Sequence, residues 1–308
     1  MTRRAPSDWD RLALFEMPPE LASVRPSALD PSVLYDLHEA LHGVALDWLR
    51  SPDCDPAIRG FGFGVRWANG QPTNEPVFQV FAGAAARRTW GAGPAGVIPP
   101  EFSSLVTLEV VRAARESGAD AGAEAPVDLD DTGEVVPLMV PVDAAQLRVR
   151  QRPLRGGCSL GHPDVTGGTL GVRVVENVRG APEGAAVYLL SNCHVLAADP
   201  SRPRRGDPTI QPAAVDFGAR DRDVIGHLAD FEPLRVGFTN RMDAALCALD
   251  DPSVAADGVA GLGGLRYWRA QRDTPIGLRV AKLGRTTGLT FGVVRSVGVT
   301  YKIDYKLG

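Results

Sequence analysis

The 308 residues carry 33 Lys and Arg against 37 Asp and Glu, a formal net charge of −4, which excludes a global basic field for nucleic acid. At 44% hydrophobic and 23% charged residues the chain can bury a sizeable core, which excludes wholesale disorder, and its length favours two modest domains over one. Thirty-four glycines and 25 prolines beside 6% aromatics predict many turns and short strands around Val, Leu, Ala and Ile.

Residues 1–30, with Pro6, Pro18, Pro19 and Pro26, read as an irregular segment on the surface. Met1-Thr-Arg-Arg-Ala-Pro-Ser-Asp lacks the apolar stretch of a signal peptide, and no run of about 18 apolar residues follows. A membrane span is therefore not expected, and a cytoplasmic location is. Cys54, Cys158, Cys193 and Cys247 show no Cys-x-x-Cys spacing, so reduced, mostly buried thiols are expected.

Val33, Leu34, Leu37, Leu41, Val44, Ala45, Trp48 and Leu49 recur at three- and four-residue steps, which predicts an amphipathic helix capped by Asp30 or Ser32. His38 and His42 lie one turn apart on it, with no third metal ligand nearby, so no metal is expected there. Ile58–Trp67 and Val77–Phe81 read as strands of a hairpin turning at Asn69-Gly70. Gly60, Gly62 and Gly64 precede no helix, so they read as strand glycines and not as a phosphate loop. A strand is expected at Leu105–Val111. The small, acidic stretch 113–135 reads as a linker or mobile loop, and its Asp128, Asp130 and Asp131 lack the spacing of a calcium loop. A boundary falls near residue 150, where Arg148, Arg150, Arg152 and Arg155 surround Pro153.

Beyond it come short apolar strands separated by turn residues: 168–175, 186–190, 223–228, 244–249, 276–280 and 292–301. No helix-length period intervenes, so an antiparallel barrel or sandwich is predicted. The expected fold class is α+β: an irregular segment 1–30, a small N-terminal α/β domain over 31–150, an antiparallel β-barrel over 151–270, and further strands over 271–308.

Two residues are candidates for chemistry, and each taken alone also reads plainly, His194 as a structural histidine and Asp243 as an exposed strand-starting aspartate. Tyr188-Leu-Leu-Ser-Asn-Cys-His-Val-Leu-Ala197 delivers His194 at the end of an apolar strand, and histidine suits general acid–base work near neutral pH. Asp243 opens a second apolar run, Ala-Ala-Leu-Cys-Ala-Leu, 49 residues later. A carboxylate there is costly unless paired, and a histidine ring nitrogen is one good partner. Val280-Ala-Lys-Leu-Gly-Arg-Thr-Thr-Gly-Leu-Thr-Phe-Gly-Val-Val294 is not a phosphate loop, because its lysine precedes the glycines and a strand follows. No cofactor is implied.

Together with Arg152-Pro-Leu-Arg-Gly-Gly-Cys-Ser-Leu-Gly161, Gly168-Thr-Leu-Gly171 and Asp243-Ala-Ala-Leu246, these segments resemble the trypsin-like (chymotrypsin-fold) serine peptidases. They are most similar to a bacterial, leaderless subgroup with an N-terminal α/β extension. The resemblance extends to Gly60-Phe-Gly-Phe-Gly-Val-Arg66 and Gly70-Gln-Pro-Thr-Asn-Glu-Pro-Val77, and so covers the chain from about residue 58 onward.

The resemblance implies two β-barrels with the active site between them, His194 as general base, Asp243 as its orienting carboxylate, and a protein or peptide substrate. It also implies an attacking serine in a Gly-Asp-Ser-Gly turn beyond the Gly-Arg-Thr-Thr-Gly segment, and no Gly-Asp-Ser-Gly occurs in the 308 residues. As substitutes, Ser191 lies on the histidine's own strand, and Cys193 is adjacent to His194 and on an extended chain points to the opposite face. Ser159 and Cys158 sit in a glycine-rich turn with no oxyanion signature, so no alternative nucleophile is expected. The expectation is therefore the front portion of a serine endopeptidase, inactive as given, whose residues 271–308 begin a truncated second barrel with an apolar face and open edges. The alternative is a non-catalytic protein-binding or regulatory module on a degenerate scaffold of the same kind.

Overall fold

The computed structural model describes residues 17–82, 107–112, 144–176, 186–265 and 268–303. The linker expected over 113–135 lies outside them. A short helix, α1 (Pro19–Ala22), leads to α2 (Pro31–Arg50). Pro31 sits in the first turn of α2, and the Asp30 carboxylate caps it by accepting the Ser32 N–H at 2.9 Å. The helical period then places Leu34, Leu41, Ala45, Trp48 and Leu49 on one buried stripe.

That stripe covers a four-stranded sheet of order β15-β1-β2-β3, built from β1 (Ile58–Ala68), β2 (Gln71–Ala82), β3 (Thr107–Arg112) and β15 (Ser296–Tyr301). β1 and β2 form the expected hairpin, and Asn69 and Gly70 both adopt positive φ, 51° and 72°, the turn geometry that matches strand twist. Phe61, Phe63 and Phe78 are fully buried beneath α2, with Phe61 stacked on Phe78 at 5.7 Å between ring centroids. The glycines of β1 have a packing reason. A Cβ on Gly60 would sit 2.2 Å from the Thr300 carbonyl oxygen, and one on Gly64 would sit 2.6 Å from that of Arg295. They let β15 approach.

β15 is where the expected layout and the structure part. Residues 292–301, read as a single strand, are two: β14 (Gly288–Val293) ends, and after Val294 and Arg295 the chain crosses to pair antiparallel with β1. The residues grouped with the opening of a second barrel thus end in the N-terminal sheet. Residues 17–30 are also less loose than their prolines imply. Val24 is buried, the Ser27 N–H donates to the Ile276 carbonyl at 2.8 Å, and Ser27 Oγ donates to the Thr73 carbonyl at 2.7 Å.

The middle of the chain is antiparallel. Strands β7 (Val172–Val175), β8 (Val187–Ser191), β9 (Pro208–Ile210), β10 (Val224–Phe231) and β11 (Ala245–Leu249) form a sheet of order β7-β8-β11-β10-β9. Two small pairs accompany it: β5 (Ser159–Leu160) with β6 (Gly168–Thr169), and β4 (Leu154–Gly156) with β12 (Ala255–Val259), the latter parallel. Strands β4, β5, β8, β10, β11 and β12 contribute Leu154, Leu160, Leu189, Ile225, Leu228, Ala245 and Ala255 to one core, which Leu170 and Leu196 complete. A single closed barrel sheet is not present among the described residues; these are separate sheets about a common interior. The architecture is α+β with few helices.

β13 (Arg279–Gly284) and β14 make a final hairpin, with β14 buried along its whole length. The apolar face expected to lie open is covered. Leu283, Leu289 and Phe291 pack with Leu147 of a short helix, α3 (Ala144–Leu147), and with Met17 and Leu21 from the N-terminal segment. Among the described residues, no helix is long and apolar enough to cross a membrane.

Candidate active site

β8 and β11 are hydrogen-bonded neighbours, and their register sets Ala245 opposite Ser191 and Leu246 opposite Leu190. Continued two residues past the strand end, the same antiparallel register brings Asp243 opposite Cys193. Here β8 stops: Asn192 turns the chain into a one-turn helix, α4 (Cys193–Leu196), on which His194 sits. Cys193, Val195 and Leu196 are buried, which anchors α4 in the core and leaves the His194 ring at the rim with 41% of its side chain exposed. The Asp243 side chain is 15% exposed.

The two expected residues meet. Asp243 Oδ2 is hydrogen-bonded to His194 Nδ1, while Oδ1 accepts the backbone N–H of Cys193 at 2.7 Å and of His194 at 3.3 Å. Asn192 Nδ2 donates to the Asp243 carbonyl at 3.0 Å, tying the backbone of the carboxylate to the turn before the histidine. A carboxylate on Nδ1 selects the tautomer that carries its proton there and makes Nε2 the basic nitrogen. It also stabilises the imidazolium that forms when Nε2 takes up a proton. Chemically, the arrangement fixes the ring orientation and leaves Nε2 able to accept a proton.

The four residues weighed as substitute nucleophiles are otherwise engaged. Cys193 is buried, and its thiol lies 3.8 Å from the Pro200 carbonyl; burial first, and then the Asp243 charge, push it up to about 11. Cys193 lies on the helical turn of α4 and not on an extended strand. Burial pushes the Cys158 thiol up to about 12. Ser191 Oγ donates to the Thr169 carbonyl at 2.9 Å, and the fully buried Ser159 Oγ donates to Asp216 Oδ2 at 2.5 Å. Thiols held this far above neutrality supply no thiolate near pH 7.

Two features of the surroundings were not read from the sequence. The α2 helix reaches the loop before Asp243, with Arg50 Nη2 donating to Thr239 Oγ1 at 2.7 Å. Asp216 and Arg285 form a two-bond ion pair, Nε to Oδ2 at 2.9 Å and Nη2 to Oδ1 at 2.7 Å, with side chains only 7% and 16% exposed. Arg285 lies in the Gly284-Arg-Thr-Thr-Gly288 turn, a charged residue between apolar strands, and that was its one sequence signal. No group of three or more His, Cys, Asp and Glu side chains among the described residues is placed to hold a metal ion. Compared with protein families and with curated proteins, the chain matches no family model and no curated protein.

Proposed function

We propose that this chain carries the general base and the orienting carboxylate of a serine endopeptidase, His194 and Asp243, with the attacking serine outside these 308 residues. The observation that supports it is the divided Asp243 carboxylate, one oxygen on the imidazole and the other on the backbone amides beside it. An exposed strand-starting aspartate needs neither bond. In the reaction, His194 Nε2 removes the serine hydroxyl proton as the oxygen attacks the scissile carbonyl. The imidazolium, steadied by Asp243, then returns that proton to the leaving amine, and water repeats the sequence on the acyl-enzyme. The substrate is a protein or peptide, and no cofactor enters these steps.

The test is labelling by a fluorophosphonate probe. The 308-residue chain is expected to stay unlabelled, and a chain with the reading frame continued past Gly308 to be labelled at a serine in a His194-dependent manner. Persistent labelling after His194→Ala rejects the base assignment. The absence of a Gly-Asp-Ser-Gly turn within the sequence supports a second reading, a non-catalytic protein-binding module on the same scaffold. A lengthened chain with no such serine and no labelling selects it.

A further inference from the structure

The turn between β13 and β14 is wired to the strand that delivers His194. At one end, the Asp216 carboxylate holds the Arg285 guanidinium by two bonds and takes a third from Ser159 Oγ, which itself accepts the Ala213 N–H at 3.1 Å. At the other end, the Arg285 backbone N–H donates to Thr169 Oγ1 at 3.1 Å, and the Thr169 carbonyl accepts the Ser191 hydroxyl at 2.9 Å. Ser191 is the last residue of β8, three before His194, and pairs across the sheet with Ala245, two after Asp243. Arg148 Nε completes the seam, donating to the Arg285 carbonyl at 3.1 Å.

Energetics make this seam informative. Removing two charges from water is costly, and well-packed apolar side chains of similar volume often give equal or greater stability. What a two-bond arginine–carboxylate pair adds over an apolar contact is direction, because the planar guanidinium accepts one orientation only. That orientation fixes the Arg285 backbone against Thr169, and through Thr169 the end of β8. We propose that Asp216 and Arg285 are a positioning pair that sets the His194 imidazole against Asp243 from the β13–β14 turn. The inference rests on reading His194 and Asp243 as a proton-transfer pair. It assigns Asp216 and Arg285 no contact with substrate.

The experiment uses the 308-residue chain and the double variant Asp216→Leu/Arg285→Met, which replaces the ions with apolar groups. Two signals are followed: the Nδ1–H proton resonance of His194, assigned by its loss in His194→Gln, and amide exchange at Cys193, whose N–H rests on Asp243. The double variant is expected to keep its melting temperature within a few degrees yet lose or broaden the Nδ1–H resonance. Its Cys193 amide should exchange at least tenfold faster, while that of Leu189, in the core of the same sheet, stays protected. A folded double variant with both signals unchanged overturns the proposal and leaves the pair a purely structural one. Should the double variant not fold, Arg285→Lys, which keeps the charge and loses the two-bond geometry, is read by the same signals with the same two outcomes. Neither signal needs peptide cleavage, so failure here and failure of probe labelling in the lengthened chain are separate results.

Discussion

Asp243 holds His194 at two points, the ring through Nδ1 and the main chain through the residue's own N–H, while the same oxygen also takes the Cys193 amide. The carboxylate is therefore a cap for α4 as well as a partner for the imidazole, and substitutions at 243 separate the two roles. Asp243→Asn keeps an oxygen for the backbone amides but turns an N–H toward Nδ1, forcing the ring proton to Nε2. The expected outcome is a folded protein whose His194 ¹⁵N shifts report the opposite tautomer. In a lengthened chain bearing the serine, the rate falls by about 10⁴-fold. Asp243→Ala also strips the Cys193 amide of its partner, and urea unfolding should show a further loss of about 1–3 kcal/mol.

The thiols supply a second prediction. All four cysteines are free and buried, and burial raises Cys158 and Cys247 to about 12 and Cys193 to about 11. An aromatic disulfide reagent at pH 8 should find no reactive thiol in the folded chain and four after unfolding. Above the ordinary thiol value of 9.0 the unfolded chain ionises first, so each of these three groups removes about 1.4 kcal/mol of stability per pH unit until its folded value is reached. Cys158→Ala should flatten that alkaline slope, and an unchanged slope would mean Cys158 is not sheltered.

Where sequence and structure agree, the determining interactions are local. Asp30, Pro31 and a 3.6-residue stripe define α2; Asn69-Gly70 defines the first hairpin. His194 and Asp243 were legible because each interrupts an apolar strand at its end, and the register of β8 with β11 brings strand ends together. What was not legible depends on partners distant in sequence. Alternation marks Ser296–Tyr301 as a strand but says nothing of which edge it joins, and the β1 glycines that admit it look the same as any strand glycines. α4 is four residues long, too short to display a helical period. The Asp216–Arg285 pair has no local signature, because a 69-residue separation hides the burial each gives the other.

His162 makes acid stability a readout of the β5–β6 neighbourhood. The residue is 3% exposed, its Nδ1 accepts the Asp164 N–H at 3.0 Å, and burial holds the imidazole below its ordinary value of 6.5. Asp164 and Asp207 oppose that shift and Arg220 adds to it, but burial dominates. As pH falls, the unfolded chain takes the proton first. The stability contributed by the neutral ring is complete above pH 6.5 and declines as the pH drops through that value towards the folded one, by at most about 1.4 kcal/mol per unit. The melting temperature should thus fall between pH 7.5 and 5.5, and His162→Asn, which preserves an acceptor for the Asp164 amide, should reduce the fall.

Gly298 tests whether the end of the chain belongs to the N-terminal sheet. It lies in β15 with φ of +59°, and a Cβ built on it meets His38 Cδ2 on α2 at 2.4 Å. Alanine here faces two costs, a left-handed backbone and a clash with a ring that already packs edge-on against Phe63 at 5.7 Å. Together these amount to about 2–4 kcal/mol. The strain enters where α2, β1 and β15 meet, so it should appear as faster amide exchange in β1 and β15, while the β8–β11 ladder that carries His194 and Asp243 keeps its protection. A Gly298→Ala variant as stable as the parent would mean that Ser296–Tyr301 does not sit beneath α2, and the seam between β1 and β15 would have to be redrawn.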